Sequence, residues 1–202
     1  MKKNRKILVL ISFFTIFSIP LFSVEKKQNI STKIAVIFNT LCAKCHEGQC
    51  SGRLSFESGG KAATTHIKRY AGKTKVSKDE VNEFFTLLNY MKIECALLMP
   101  DNGKWKPENL SHFALPSHDS YFIPLGTLKS GDYILIIKVK ENIRFRAEVI
   151  SNQLDPSLDQ LVPSSTKEHN IHFTIDETLD YFLRIRSRGP LHISTLEIKK
   201  SF

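Results

Sequence analysis

The sequence predicts an α+β chain in two domains, an all-α domain followed by an antiparallel β-sandwich of jelly-roll type. All four cysteines and the runs with helical periodicity lie between residues 26 and 98. Residues 112–202 contain no cysteine and in several runs alternate apolar with polar side chains, as half-buried strands do. We therefore place the helical domain at 26–99, a linker rich in turn residues at 100–111, and the sandwich at 112–202.

The first 23 residues match a secretory signal. A basic stretch from Lys2 to Lys6 precedes the apolar run from Ile7 to Phe22. That run is shorter than the ~20 residues that a membrane-spanning helix needs. We expect cleavage after Ser23 and export to the periplasm or an equivalent extracytoplasmic compartment. Membrane contact is expected only if this segment stays uncleaved.

The formal charge indicates a modest basic bias. The whole chain carries +9, and loss of residues 1–23 removes four cations and no acid, which leaves about +5. These charges are spread along the sequence without an arginine-rich block. Together with export, this pattern excludes nucleic acid as a partner and favours an acidic protein.

Three helices are predicted in the first domain. The first is KIAVIFNTLCAKCH, capped by Ser31-Thr32, and the second is AATTHIKRYAG. The third starts at Ser77, where Glu80 completes a capping box ahead of VNEFFTLLNYMK. Helical spacing predicts that its buried stripe is Val81, Phe84, Phe85, Leu88 and Met91.

Six strand-like runs are predicted in the second domain: YFIPLG, DYILIIKVK, IRFRAEVIS, NIHFTI, DYFLRIRS and PLHISTLEI. Their alternation assigns Glu148 and Arg184 to the side opposite the core. His169 and His172 are three apart, which on a strand places them on opposite faces. We find no nucleophile–base pair or calcium loop, so we expect a docking or scaffold role and no enzymatic activity.

The pentapeptide Cys42-Ala-Lys-Cys45-His46 carries the chemistry of the first domain. The spacing C-x-x-C-H is the signal for covalent haem attachment, because two thiols at i and i+3 on a helix reach the two vinyl groups of the porphyrin. The adjacent His46 would then bind the iron as the proximal ligand. A zinc site would need a second ligand pair, and a thioredoxin-type dithiol would need a preceding strand. The sequence has neither, so we expect one covalently bound haem c.

Residues 31–92 resemble a class I-like c-type cytochrome, in which an N-terminal helix delivers C-x-x-C-H and a terminal helix crosses it. In that family a methionine ahead of the terminal helix ligates the iron. This chain departs from the pattern, because it has no methionine between His46 and Ser77. The chain is also similar to the histidine/cysteine-ligated monohaem cytochromes of anammox bacteria in the size of its haem domain and in its extra cysteines.

The distal ligand is open between two main candidates. His66 occupies roughly the place of the family's methionine, and Cys95 follows the terminal helix. Met99 is a third choice, and Tyr70 or an open site comes last. If neither Cys50 nor Cys95 ligates iron, we predict a disulfide between them, as an oxidising compartment favours.

Two functions follow from this reading. The first is electron transfer at low potential, with the sandwich docking a redox partner such as a larger oxidoreductase. The second is haem-based binding or sensing of a small gas such as NO or CO. A second copy of the chain is a further candidate partner.

Overall fold

A computed structural model of the chain describes residues 30–46, 60–71, 75–100 and 105–201. The predicted signal segment and Cys50 lie outside these residues. Within the described ranges, no helix has the length and apolar character that a membrane span requires.

The first helical segment runs without interruption from Thr32 to His46. It consists of α1 (Thr32–Ile37), a π-helix (Phe38–Cys42) and α2 (Ala43–His46). Ser31 caps it as predicted, since its Oγ accepts a hydrogen bond from the Ile34 amide at 3.4 Å. The π-turn arises where the Ala43 amide donates to the carbonyl of Phe38, five residues back. The widened turn therefore lies directly before the C-x-x-C-H motif.

Two further helices follow, α3 (Gly60–Tyr70) and α4 (Lys78–Glu94). The capping box predicted for α4 is confirmed, because the Ser77 amide donates to Glu80 Oε2 at 2.7 Å and the Glu80 amide donates to Ser77 Oγ at 3.2 Å. The predicted stripe is correct except at its centre. Leu87 is buried there, whereas Phe85 and Leu88 are only half-buried.

In the described part of the chain, eight antiparallel strands form two sheets. In chain order they are β1 (Ala114–Leu115), β2 (Ser120–Leu128), β3 (Gly131–Val139), β4 (Phe145–Ser151), β5 (Pro156–Val162), β6 (Glu168–Ile175), β7 (Leu179–Ser187) and β8 (Ile193–Lys200). The larger sheet has the order β1-β2-β7-β4-β5, and the smaller has the order β6-β3-β8. Short 3-10 helices at Pro107–Phe113 and Pro116–His118 flank β1. The prediction of an antiparallel β-sandwich is confirmed in this coarse form.

All six predicted strands exist, and two strands were missed. β5 gives no clear alternation, because it is an edge strand on which only Val162 is buried. β1 has two residues, which is too short for a periodic signal. His169 and His172 lie on opposite faces of β6 as predicted, the first buried and the second exposed.

Apolar side chains fill the space between the sheets. Several of them have no exposed surface at all: Leu135, Ile137, Ala147, Val149, Leu183 and Ile185. The register agrees with this face assignment, since Ala147 lies opposite Ile185 and Val149 lies opposite Leu183. Period-two patterning therefore predicted the inner face well.

The outer face of the larger sheet is also buried in part. All residues of β7 from 181 to 185 are buried, which alternation alone does not predict. Glu148 and Arg184 lie on this outer face, as predicted, and they pair across β4 and β7. They are nevertheless buried there, with 8% and 1% of their surface exposed. α1 and the π-helix pack against β2 on the larger sheet, and so bring apolar side chains to it.

The helices and the sandwich share one continuous core. The Leu97 amide donates to the Asn152 carbonyl at 2.7 Å, and Asn39 Nδ2 donates to the Leu98 carbonyl at 3.1 Å. Within the predicted linker 100–111, Leu110 is buried in the same core. Among the described residues, the Leu97–Asn152 hydrogen bond and shared apolar packing thus join the two predicted domains.

The buried hydrogen bond of Asn39 yields a stability prediction. Asn39→Ala removes the donor to the Leu98 carbonyl, and we expect the free energy of unfolding to fall by about 1–3 kcal/mol. Thr40→Val is the matched control, because the Thr40 hydroxyl is buried and has no partner among the described residues. We expect that variant to stay within about 0.5 kcal/mol of the parent or to gain stability. Urea unfolding measures both variants. An equal loss of unfolding free energy in Asn39→Ala and Thr40→Val would contradict a stabilising role for the Asn39 hydrogen bond.

His169 yields a pH prediction. Its ring lies edge-on to Phe145 at 5.4 Å, and burial lowers its pKa below the ordinary histidine value. The unfolded chain therefore binds a proton at higher pH than the folded chain does. His169 thus costs stability as the pH falls below about 6.5, down to its lowered folded pKa.

We expect the free energy of unfolding of His169→Leu to depend less on pH below about 6.5 than that of the parent chain does. His172→Gln, on the exposed face of the same strand, should leave this pH dependence unchanged. If the free energy of unfolding changed with pH in the same way for the parent and His169→Leu, then His169 would not contribute to the pH dependence.

Candidate haem site

The two thiols of the C-x-x-C-H motif lie on one helical segment. Cys42 ends the π-helix and Cys45 lies in α2. Residues three apart on a helix share a side, so both thiols project from the same flank of the segment. Both cysteines are free. Their spacing and oxidation state meet the requirement for two thioether bonds.

The two thiols differ in their surroundings. Cys42 is half-buried and packs against the core, whereas Cys45 is exposed. Burial, and then the charge of the neighbouring Cys45, raises the pKa of Cys42 to about 12. At neutral pH the Cys42 sulfur is therefore a protonated thiol, and Cys45 is the more accessible of the pair.

The backbone of His46 is helical and closes α2. Its side chain lies outside the described part of the structure, so its role as the proximal ligand stays a prediction. The sequence places it directly after Cys45, which is the position that the attachment signal requires.

His66 lies on α3 with its ring exposed. It contacts Tyr70, one turn further along the helix, with the two ring centroids 4.5 Å apart. Ile67, between them in sequence, is buried. Tyr70 is 54% exposed, so this face of α3 presents two aromatic rings to solvent. The assignment of His66 as the distal ligand stays a prediction.

Cys95 is the C-cap of α4 and forms a disulfide. Its backbone adopts the left-handed conformation at φ 49°. A sulfur in a disulfide offers no thiolate to iron, so in this state of the chain the alternative ligand is occupied. The partner of Cys95 lies outside the described residues, and the pairing with Cys50 stays a prediction.

These residues fit haem c in their donor chemistry. Two free thiols on one side of a helix are followed by an imidazole, and a second imidazole is available on α3. Haem would supply an iron that cycles between two oxidation states. In the described ranges, no group of three or more histidine, cysteine or acidic side chains is placed to hold a bare metal ion.

A cleft that the sequence did not indicate lies between α1 and the residues around β1. It has a volume of about 350 Å³, and its lining includes Lys33, Ile37, His112 and Pro116. His112 is exposed at its rim. No local sequence pattern reveals this cleft, because its walls come from segments some 75 residues apart in the chain.

Comparisons with known proteins give little further information. No protein-family model matches this chain, and no curated protein matches it. Among solved structures, it is similar to one described as "CBM4 structure and function", with 13% identity and a TM-score of 0.31. The match covers 41% of this chain and 73% of that chain. A likeness of this size carries no argument about function.

The unequal thiols yield a reactivity prediction. In the haem-free chain at pH 8 without reductant, we expect iodoacetamide to alkylate Cys45 at least about a hundredfold faster than Cys42. Peptide mass spectrometry after timed quenching measures both rates. The control is the same reaction in urea, where unfolding should remove the difference. Equal rates in the folded chain would contradict the burial of Cys42.

Proposed function

We propose that this chain is an exported monohaem c-type cytochrome that transfers electrons. The observation that carries this proposal is the pair of free thiols, Cys42 and Cys45, on one side of a helical segment that ends in His46. This arrangement is the one that covalent haem attachment uses. Cys42 and Cys45 would form the thioethers, and His46 would be the proximal ligand.

His66 is our proposed distal ligand, and a low reduction potential follows from it. The disulfide at Cys95 engages the competing sulfur, which favours His66. A methionine ligand raises the potential of a haem, whereas a second histidine lowers it relative to methionine. The two methionines of the described helical region, Met91 and Met99, are 2% and 1% exposed and belong to the core. Neither is therefore our choice as a ligand.

We further propose that the sandwich serves as the docking body of the carrier. The segment that carries C-x-x-C-H packs against β2, so the attachment site and the larger sheet are joined by one core. As a finer architecture we propose a jelly roll. In the two sheets, β2 is paired with β7, β3 with β6 and β4 with β5. Each of these pairs encloses the next along the chain, and this nested pairing supports a jelly roll. A partner bound to the sandwich would then hold the haem at a defined position.

Binding of a small gas is the second candidate. The exposure of His66 favours this function. The ring contact described for His66 is with Tyr70, which is also exposed. A ligand ring that is not enclosed by the core leaves the iron more readily than a buried one. In that case NO or CO would replace His66 on the reduced iron.

Covalent haem content tests the central proposal. We expect the full chain, produced in a host that attaches haem, to carry one haem, measured by pyridine haemochrome absorbance and by intact mass. Cys42→Ser/Cys45→Ser should lose covalent haem, because no thiol remains to attack a vinyl group. His112→Gln, which changes a surface histidine, should retain it. A parent chain without covalent haem would overturn the proposal.

Electron paramagnetic resonance separates the two candidate functions in the same preparation. Electron transfer predicts a low-spin bis-histidine signal in the oxidised parent, and His66→Gln should convert it to high spin. A high-spin parent that binds CO when reduced would instead support gas binding. A thiolate-type signal would place a cysteine on the iron and contradict both His66 and the disulfide.

A further inference from the structure

Arginines from two separate stretches of sequence meet on the larger sheet. The chain has eight arginines and 21 lysines, and five of those arginines lie on β4 and β7 or at their ends: Arg144, Arg146, Arg184, Arg186 and Arg188. Arginine is thus concentrated here in a chain whose other cations are mostly lysine. The planar guanidinium binds carboxylates in a two-pronged geometry that lysine cannot adopt.

The register places these arginines opposite one another. Arg146 lies directly across from Arg186. The ladder ends at the next pair, Phe145 and Ser187, and the residues just beyond that end are Arg144 and Arg188. Like charges directly opposite on neighbouring strands destabilise a sheet. The opposed pair Arg146 and Arg186 therefore needs carboxylates nearby to offset the repulsion.

Two carboxylates offset part of the charge. Glu148 lies 3.5 Å from Arg184 and 3.9 Å from Arg186, and Asp159 binds Arg146 through both of its oxygens. Arg184 is 1% exposed, so its charge is contained within the core. Arg144 and Arg188 are exposed at the end of the sheet. Arg144 and Arg188 therefore add exposed positive charge at this end of the sheet, outside the pairs that Arg146 and Arg184 form with Asp159 and Glu148.

An apolar side chain adjoins the exposed arginines. Leu161 on β5 lies directly opposite Arg146, and it is 59% exposed, one of three large apolar side chains in the described residues with that property. Protein interfaces combine arginine with exposed apolar groups, and charged groups around them steer the encounter. A free phosphate makes no apolar contact, so Leu161 beside the arginines favours a protein partner.

We propose that Arg144, Arg146, Arg186 and Arg188 together with Leu161, the arginine patch, dock an acidic protein partner. The carboxylates of the partner would bind the exposed guanidinium groups of Arg144 and Arg188, and one of its apolar side chains would cover Leu161. Arg146 and Arg186 would add positive charge beside them while paired with Asp159 and Glu148. This proposal deepens the docking role given above, but binding to the patch does not require haem. Failure of haem attachment would therefore leave it standing.

The test measures binding of the full chain to defined acidic polymers. The probes are poly-L-glutamate, a random glutamate–tyrosine copolymer and heparin, each labelled for fluorescence anisotropy at low and moderate salt. We expect Arg144→Glu/Arg188→Glu to weaken binding of the copolymer about tenfold or more. The matched control is Lys129→Glu/Lys199→Glu, which changes the net charge equally. Lys129 follows the end of β2 remote from Arg186, and Lys199 lies on the smaller sheet. This control should change binding by less than about twofold.

Leu161→Ser distinguishes a protein partner from other polyanions. We expect it to weaken binding of the glutamate–tyrosine copolymer by about threefold or more while leaving binding of poly-L-glutamate unchanged. Equal losses for the two charge variants would overturn the proposal, because only net charge would then matter. Tighter binding of heparin than of the copolymer, with no effect of Leu161→Ser, would overturn it in favour of a polysaccharide surface.

Thermal unfolding supplies an independent readout. Arg188→Glu removes a like-charge neighbour, so we expect its Tm to equal or exceed that of the parent. A large fall in Tm would show that the arginines stabilise the sheet, and it would overturn their assignment to docking.

Discussion

The structure depends on the all-round burial of one helical segment. Residues 34 to 40 are buried without a break, even though the run includes Asn39 and Thr40. One side of the segment faces α4, where Phe38 meets Phe84 with ring centroids 6.5 Å apart, and other contacts reach β2. A helix that is apolar on every side is stable only when it is enclosed. The helices and the sandwich must therefore share a core.

The candidate haem site lies where this burial ends. Cys42 is half-buried, and Cys45, less than one turn later, is exposed. The motif therefore lies where the helix emerges from the core. The inequality of the thiols is a consequence of that position, because burial disfavours the charged thiolate. A group attached to both sulfurs would be held by a segment that is itself fixed between α4 and the larger sheet.

The same packing divides the outer face of the larger sheet into two regions. Where apolar side chains cover it, Phe122 and Phe182 stack with their centroids 5.1 Å apart, and Arg184 lies over the ring of Phe122 at 5.8 Å. A buried guanidinium needs a carboxylate, which Glu148 provides. Beyond this region Arg144, Arg146 and Arg188 of the arginine patch are exposed, and Arg186 is half-buried between the two regions. Arg184 of β7 thus lies in the core, whereas Arg188, just beyond the end of the same strand, lies on the surface.

Local patterns in the sequence determined the helices, the capping box of Ser77 and Glu80, six of the eight strands, and the spacing of Cys42 and Cys45. Each of these depends on neighbours within about one turn or one strand pair, which are adjacent in the chain. Only the tertiary structure decided that Arg184 is buried, that Leu87 rather than Leu88 faces the core, that Cys95 is in a disulfide, and that the arginines of β4 and β7 form one patch. The physical reason is that burial and charge depend on which surfaces meet, and residues such as Arg146 and Arg186, 40 apart in sequence, become neighbours only through strand register.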